Sequence, residues 1–254
     1  MEIFLQVDTW VALLTLTFLE IILGIDNIIF ISISANKLPE NQVRKATLLG
    51  LALAMITRII LLFSVSYLIA LKDPFYTINT SWLKTGLTGQ SIILFLGGIF
   101  LLYKSTKEIR EKVEHTNEEE VIKSPKVVSF SNVIIQIILI DIVFSFDSIL
   151  TAVGMTNGID GALIIMVIAV IISILIMMLF SKPISNFVNR NPTIQMLALS
   201  FLILIGFMLI TEGAHLSHTE IFNKSVGAIP KGYLYFAIAF SLGVEMLNLK
   251  IRKK

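Results

Sequence analysis

The chain is predicted to be an all-α polytopic membrane protein with seven transmembrane helices. Three properties of its 254 residues predict this class: 56% are hydrophobic, only 15% are charged, and the mean hydropathy is +0.87. In soluble domains about a quarter of the residues are charged. The composition therefore excludes an ordinary soluble domain and favours a chain that lies largely in lipid.

Seven apolar stretches are candidates for spans, and a spanning helix needs roughly 20 residues. The stretches cover residues 9–35, 46–71, 86–103, 130–153, 161–180, 194–213 and 232–249, of which the third and the seventh are marginal. The first stretch has no basic segment before it and exceeds the apolar core of a signal peptide, so we expect it to be retained. The absence of cysteine excludes disulfides and thiolate metal ligands.

Basic residues are distributed unevenly between the two sets of alternating loops. Fifteen of the 20 Lys and Arg residues share the side of the C-terminus, Arg58 lies within a span, and the opposite side holds only Lys72, Lys84, Lys224 and Lys231. The positive-inside rule assigns the side with the excess to the cytosol. The N-terminus is therefore predicted to lie outside and the C-terminus in the cytosol.

Two copies of a short acidic motif lie deep within apolar stretches. Each copy has two acidic residues six positions apart, followed directly by a small polar residue: Glu20, Asp26 and Asn27 in the first stretch, and Asp141, Asp147 and Ser148 in the fourth. Placing one carboxylate at the bilayer centre costs roughly 2.5–3.5 kcal/mol on insertion scales, so four of them imply a compensating function. Binding of a cation is the simplest such function.

The two motifs are predicted to enter the membrane from opposite faces. The second motif lies three spans after the first, so the first stretch runs inwards and the fourth outwards. Inverted repeats of this kind place a substrate site at the midplane of a transporter. The predicted division is a first three-helix repeat, a charged cytosolic linker, a second three-helix repeat, and an outer loop with the seventh helix and a basic tail, over residues 1–103, 104–129, 130–213 and 214–254.

Helix geometry separates the two acids of one motif. On an ideal helix, residues six apart differ by about 240° in direction and about 9 Å along the axis, whereas residues seven apart share a face. Glu20 therefore shares a face with Asn27, and the second motif behaves in the same way. Gly24 and Ser145 lie between the acids of their motifs, and we expect a kink or an unwound turn at one of them.

The ligand atoms on offer are all oxygens, from the carboxylates, the Asn27 amide and the Ser148 hydroxyl. Such a set suits Mg²⁺, Ca²⁺ or Mn²⁺ better than Zn²⁺ or Cu⁺. Four ionised carboxylates would carry a charge of −4, whereas one divalent ion and Arg58 supply +3. We therefore expect the site to hold protons when the metal is absent. Glu212 and Glu245 are candidate proton relays. Alternatively, the carboxylates pair with a buried partner such as Arg58 and only fix helix packing.

The residues from Glu20 to Asn27, the Lys-Leu-Pro turn at 37–39, Arg58 and residues 141–155 resemble the TerC family of bacterial integral membrane proteins. The resemblance covers nearly the whole chain. It implies a seven-span fold related to the LysE superfamily of exporters, a location in the bacterial inner (plasma) membrane, and export of manganese. It also implies a metal site made of Glu20, Asp26, Asn27, Asp141, Asp147 and Ser148.

Three functions remain open on the sequence alone. The first is a divalent cation exporter, with Mn²⁺ as the transported ion and protons in exchange. The second is a non-transporting membrane partner that delivers metal to secreted proteins, associates with the secretion machinery or takes part in tellurium resistance. The third, an intramembrane aspartyl hydrolase, is disfavoured because four acids exceed the two that its chemistry needs. An enzymatic activity, an organic cofactor and a nucleic-acid partner are not expected.

Overall fold

The computed structural model describes residues 2–64, 67, 69, 71–117, 129–156 and 158–252, and the described chain is 80% helical. A short 3-10 turn, Glu2–Leu5, precedes the first long helix. The long helices are α1 (Val7–Ala35), α2 (Glu40–Phe63), α3 (Gly89–Asn117), α4 (Phe130–Met155), α5 (Ala162–Arg190), α6 (Pro192–Leu216) and α7 (Lys231–Arg252). Four short strands form one antiparallel sheet in the order β1 (Tyr76–Asn79), β2 (Leu83–Leu87), β3 (Glu220–Ile221) and β4 (Lys224–Ser225).

Six of the described helices are long and apolar enough to cross a membrane, namely α1, α2 and α4 to α7. Each of them overlaps a predicted span. The prediction of an all-α polytopic membrane protein is therefore confirmed. Helix α3 overlaps the third predicted span, 86–103, and its crossing of the bilayer stays a prediction.

Helix α3 continues well beyond the apolar stretch that predicted it. It ends at Asn117, so the first part of the segment predicted as a linker, 104–129, is helical. Pairs of opposite charge four residues apart contribute roughly 0.2–0.5 kcal/mol each to the stability of a helix. The extension holds two of them, Lys104–Glu108 at 2.7 Å and Arg110–Glu114 at 2.5 Å. Residues 118–128, with the acidic run of the predicted linker, lie outside the described part of the chain.

The chain divides into two compact units that interleave along the sequence. The first consists of Met1–Tyr67 and Pro125–Arg190, and the second of Leu68–Ser124 and Asn191–Lys254. These units do not coincide with the predicted repeats over 1–103 and 130–213. Each predicted half instead supplies two helices to the first unit and one to the second. The assignment of the repeats itself stays a prediction.

In the first unit, α1 packs mainly against α5, and α2 mainly against α4. Helix α1 passes unbroken through Gly24 and α4 passes unbroken through Ser145, so the unwound turn expected in at least one of these helices is wrong. Gly24 has a different use, because an added Cβ atom there would collide with the buried Met177 side chain of α5. The glycine thus allows α1 and α5 to approach closely.

In the second unit, α3 and α6 meet through a pair of glycines. A Cβ atom on Gly98 would lie 2.5 Å from the carbonyl oxygen of Gly206, and one on Gly206 would lie 2.9 Å from that of Gly98. Small residues let membrane helices approach until their backbones touch. Here the obstacle to a larger side chain is the opposing backbone, which cannot turn aside as a flexible side chain can.

Substituting Gly98→Ala is expected to destabilise the second unit by about 1–3 kcal/mol, because α3 and α6 must move apart to accommodate the methyl group. The matched control is Gly243→Ala in α7, where an added Cβ atom has no neighbour within 4 Å. Alanine favours a helix over glycine, so this control should match or exceed the wild-type stability. Thermal unfolding followed by circular dichroism in one detergent compares them, and equal stability of both variants would contradict the close contact.

Candidate functional site

Four polar side chains from three helices of the first unit meet in a buried cluster. They are Glu20 and Asn27 of α1, Arg58 of α2 and Asp141 of α4, and each is between 2% and 6% exposed. Glu20 lies near the middle of α1, with about 20 Å of helix on either side at 1.5 Å per residue. We call these four residues the central cluster. It brings together the first acid of each predicted motif.

Arg58 joins the two carboxylates of the central cluster. Its Nη1 donates a hydrogen bond to Oε2 of Glu20, and its Nη2 donates one to Oδ1 of Asp141 at 2.9 Å. Its Nε also lies 3.3 Å from the same Asp141 oxygen. The planar guanidinium is suited to such bridging, since its donors are fixed in a fork. One cation therefore ties α1, α2 and α4 together.

Two neutral side chains complete the surroundings of Asp141. The amide nitrogen of Asn27 donates to Oδ1 at 3.3 Å, and the hydroxyl of Ser145 donates to Oδ2 at 3.1 Å. The other polar atom of Asn27, Oδ1, is buried without a hydrogen-bond partner within the described structure. An unsatisfied buried acceptor is costly, so it demands a physical explanation. A cation is one partner that would satisfy it.

The charges of the central cluster do not balance. Two carboxylates face a single guanidinium, which leaves one negative charge in excess when both acids are ionised. An uncompensated charge away from water is strongly unfavourable. The cluster is thus chemically suited to take up a further positive charge, either a proton or a metal cation.

The second acid of each predicted motif is less fully defined. Asp26 lies on α1, but its side chain is outside the described residues. Asp147 is half-buried on α4, and Ser148 is buried and donates to the carbonyl oxygen of Ser145 at 3.3 Å. Among the described residues, no three His, Asp or Glu side chains form a group that could hold a metal ion. The predicted ligand set therefore stays a prediction.

The two candidate proton relays lie on helices of the second unit. Glu212 is on α6 and Glu245 is on α7. The Oε2 atom of Glu245 accepts a hydrogen bond from Asn248 at 3.3 Å, and its side chain lines an open groove of about 390 Å³ between α6 and α7. Their role as relays stays a prediction.

A second polar contact joins α1 and α5, and sequence reasoning missed it. Ser32 and Ser185 share a hydrogen bond of 2.7 Å, and Asn36 and Asn189 bond each other through both amide groups. Ser32 of α1 is followed four residues later by Asn36, which caps the helix, and α5 has Ser185 and Asn189 at the same spacing, which puts Ser and Asn on one face in each case. This repeated spacing was the available signal. The contact fixes the ends of α1 and α5 to each other.

Comparison with known proteins agrees with the sequence motifs. The family described as Integral membrane protein TerC family matches residues 5–253. The UPF0053 inner membrane protein YgdQ of Escherichia coli K12 is 46% identical over 97% of this chain and 95% of its own length. A UPF0053 protein of Haemophilus influenzae is 44% identical over the same shares. The E. coli K12 protein YoaE is 42% identical over 100% of this chain but only 45% of its own length. No solved structure matches the chain.

Proposed function

The chain belongs to the TerC family of integral membrane proteins, and on that premise we propose that it exports a divalent metal cation in exchange for protons. The proposed cation is Mn²⁺. The proposed location is the bacterial inner membrane, since its relative YgdQ is named an inner membrane protein. The proposed orientation places the N-terminus outside and the C-terminus in the cytosol.

The observation that carries this proposal is the excess negative charge of the central cluster, together with the unpartnered oxygen of Asn27. A bound cation would balance the excess charge and would also give the Asn27 oxygen a partner, provided that its preferred ligands are carboxylate and amide oxygens. Mg²⁺, Ca²⁺ and Mn²⁺ have that preference. When no metal is bound, a proton on one carboxylate compensates the charge instead. Alternation between these two states is metal–proton exchange.

Arg58 has a defined part in this exchange. It contacts Glu20 and Asp141, so it competes with a metal ion for their oxygens. We propose that it releases at least one carboxylate oxygen when the ion binds, while Asp26 and Asp147 supply the additional negative charge. Arg58 then acts as a resident cation that keeps the acids compatible with the membrane between transport cycles. Ser148, next to Asp147, completes the proposed ligand set.

Helix pairing supports an inverted repeat as the framework for transport. In an inverted repeat, α1, α2 and α3 of the first half would correspond to α4, α5 and α6 of the second half. The contact between α1 and α5 would then be equivalent to the contact between α4 and α2. Helix α3 contacts α6, which is its own equivalent. These are the main helix contacts within the two units. We propose that the two three-helix halves are inverted repeats, with α3 as the third span and α7 as the seventh. Repeats of this kind allow alternating access.

Substituting Asn27→Leu is expected to abolish the stabilisation of the purified protein by Mn²⁺. The substitution keeps a side chain of similar size and removes the oxygen proposed to meet the ion. For the wild type, saturation at 100 times the dissociation constant stabilises by about 2.7 kcal/mol, which raises the melting temperature. The melting temperature with and without Mn²⁺ measures the effect.

The matched control is Asn248→Leu, which removes an exposed amide from α7. It should keep the full response to Mn²⁺. An undiminished response in Asn27→Leu would contradict the proposed ligand, and a wild-type protein without any response would contradict the metal site as a whole. Mg²⁺ and Ca²⁺ in the same assay report the selectivity.

A further inference from the structure

The four-stranded sheet of the second unit is amphipathic. Its register places Tyr76 opposite Leu87, and Leu83 opposite Ile221. Because side chains alternate along a strand, these four residues lie on one face of the sheet. The same face also carries Lys224, which is opposite Ile221, whereas the other face carries Asn79 opposite Lys84, and Glu220 opposite Ser225. Tyr76 is 60% exposed and Ile221 is 43% exposed, although both belong to the apolar face.

The sheet is attached directly to the ends of helices. Strand β2 ends at Leu87 and α3 begins at Gly89, while α6 ends at Leu216 shortly before β3. The amide of Gly86 donates to the carbonyl oxygen of Ser217 at 2.8 Å, which ties β2 to the end of α6. Helix α6 is long and apolar enough to cross a membrane, and the sheet adjoins its C-terminal end.

Two large aromatic residues occupy the turns of the sheet. Trp82 is 53% exposed in the β1–β2 turn and Phe222 is 72% exposed in the β3–β4 turn. The amide of Phe222 donates to the carbonyl oxygen of Trp82 at 2.8 Å, so the two turns are neighbours. We call these two residues the turn aromatics. In water, both would leave a large apolar surface exposed.

The backbone conformation at Phe222 is one that an aromatic residue rarely adopts. Phe222 has φ 51° and Asn223 has φ 60°, the left-handed pair that a two-residue hairpin turn requires. Gly, Asn and Asp occupy such positions at the lowest cost, and a bulky residue is uncommon there. An exposed phenyl ring at a strained position suggests that the ring has a contact of its own.

The loops around the sheet carry a positive charge. Residues 71–88 and 217–231 contain four lysines and two acids, a net charge of +2: Lys72, Lys84, Lys224 and Lys231 against Asp73 and Glu220. Positive side chains beside a membrane attract acidic lipid headgroups. Trp and Tyr are the residues enriched at the headgroup level, because their rings are amphipathic. Aromatic residues and lysines together match the chemistry of that layer.

We infer that the sheet is a membrane-surface anchor, which rests its apolar face and the turn aromatics in the headgroup layer of the bilayer and uses Lys224, opposite Ile221 on that face, to hold acidic lipids. The occupant of this surface is thus lipid, in continuity with the exposed apolar residues of the attached helices, such as Leu96 of α3 and Phe207 of α6. The inference does not depend on the transported ion. It assigns a function to a region that the central cluster does not involve.

Trp82 itself reports on the inference. The chain has two tryptophans, so the Trp10→Phe variant leaves Trp82 as the only one. The full-length variant is reconstituted into vesicles of phosphatidylcholine and phosphatidylglycerol, with bromine atoms near the headgroup end of the acyl chains or without bromine. Trp82 is expected to lose roughly half or more of its emission in the brominated vesicles and to resist quenching by iodide in the water phase.

The matched control moves the indole to the polar face of the sheet. It combines Trp10→Phe and Trp82→Phe with Asn79→Trp, since Asn79 is exposed on that face. This tryptophan should be quenched by iodide and not by bromolipid. Iodide quenching of Trp82 without bromolipid quenching would overturn the anchor. Protection of Trp82 from both quenchers would overturn it too and would indicate burial against another protein.

Discussion

Replacing Arg58 by methionine is expected to lower the free energy of unfolding by about 3–5 kcal/mol, the largest stability effect of any single substitution considered. The guanidinium is the cation that Glu20 and Asp141 share, and all three side chains are buried. Methionine fills a similar volume but leaves two carboxylates near each other without a counter-ion. Chemical or thermal unfolding in one detergent measures the loss.

The control for this prediction neutralises the whole group. The combination of Arg58→Met with Glu20→Gln and Asp141→Asn removes every charge of the central cluster, and uncharged replacements of buried ion networks are often neutral in stability. The triple variant should therefore regain most of the loss. Stability equal to the wild type in Arg58→Met alone would show that the ion pairs contribute nothing to the fold. A triple variant no more stable than the single one would show that the loss arises from packing.

Substituting Asp26→Asn or Asp147→Asn is expected to reduce Mn²⁺ flux through reconstituted protein to the level of protein-free vesicles. In the proposed cycle these two acids supply the further negative charge that a divalent ion needs, because Glu20 and Asp141, paired with Arg58, have only one negative charge in excess. An amide has nearly the shape of the carboxylate and lacks its charge. The loss should therefore concern transport more than folding.

Asp160→Asn is the matched control for these two variants. Asp160 is an exposed aspartate in the loop between α4 and α5, outside both motifs. This variant should transport Mn²⁺ at the wild-type rate. Melting temperatures of all three variants verify that they are folded. Flux retained by folded Asp26→Asn and Asp147→Asn would place the ion pathway elsewhere in the chain.

Hydropathy was sufficient to predict the helices but not all of their ends. The spans predicted at 130–153 and 194–213 correspond closely to Phe130–Met155 and Pro192–Leu216. Helix α3 exceeds its apolar stretch in a charged segment that holds two ion pairs four residues apart, and hydropathy does not register such pairs. The short strands were missed because each has at most five residues and lies in segments interpreted as loops.

Helix periodicity predicted part of the central cluster. Residues seven apart share a face, and Glu20 and Asn27 do reach the same group of side chains. The contact with Asp141 could not be derived in this way, because it depends on how α4 packs against α1 and α2. Sequence spacing describes positions within one helix and contains no direct information about its neighbours. Arg58 was recognised as a candidate partner only because a buried charge requires one.

The expected break at Gly24 failed for a physical reason. A glycine within a helix indicates a kink in some proteins and close packing in others, and the sequence around it does not distinguish the two. Met177, which lies 153 positions away, makes the difference here, because it occupies the space that a side chain at Gly24 would need.

The most direct test of the proposed function is Mn²⁺ transport by the wild-type protein in vesicles that contain a pH-sensitive dye. Metal–proton exchange predicts that Mn²⁺ moves across the membrane, that protons move in the opposite direction, and that an imposed pH gradient accelerates the flux. Mn²⁺ binding by the same preparation without any flux would contradict the exchange. That result would favour a membrane partner that delivers metal to other proteins.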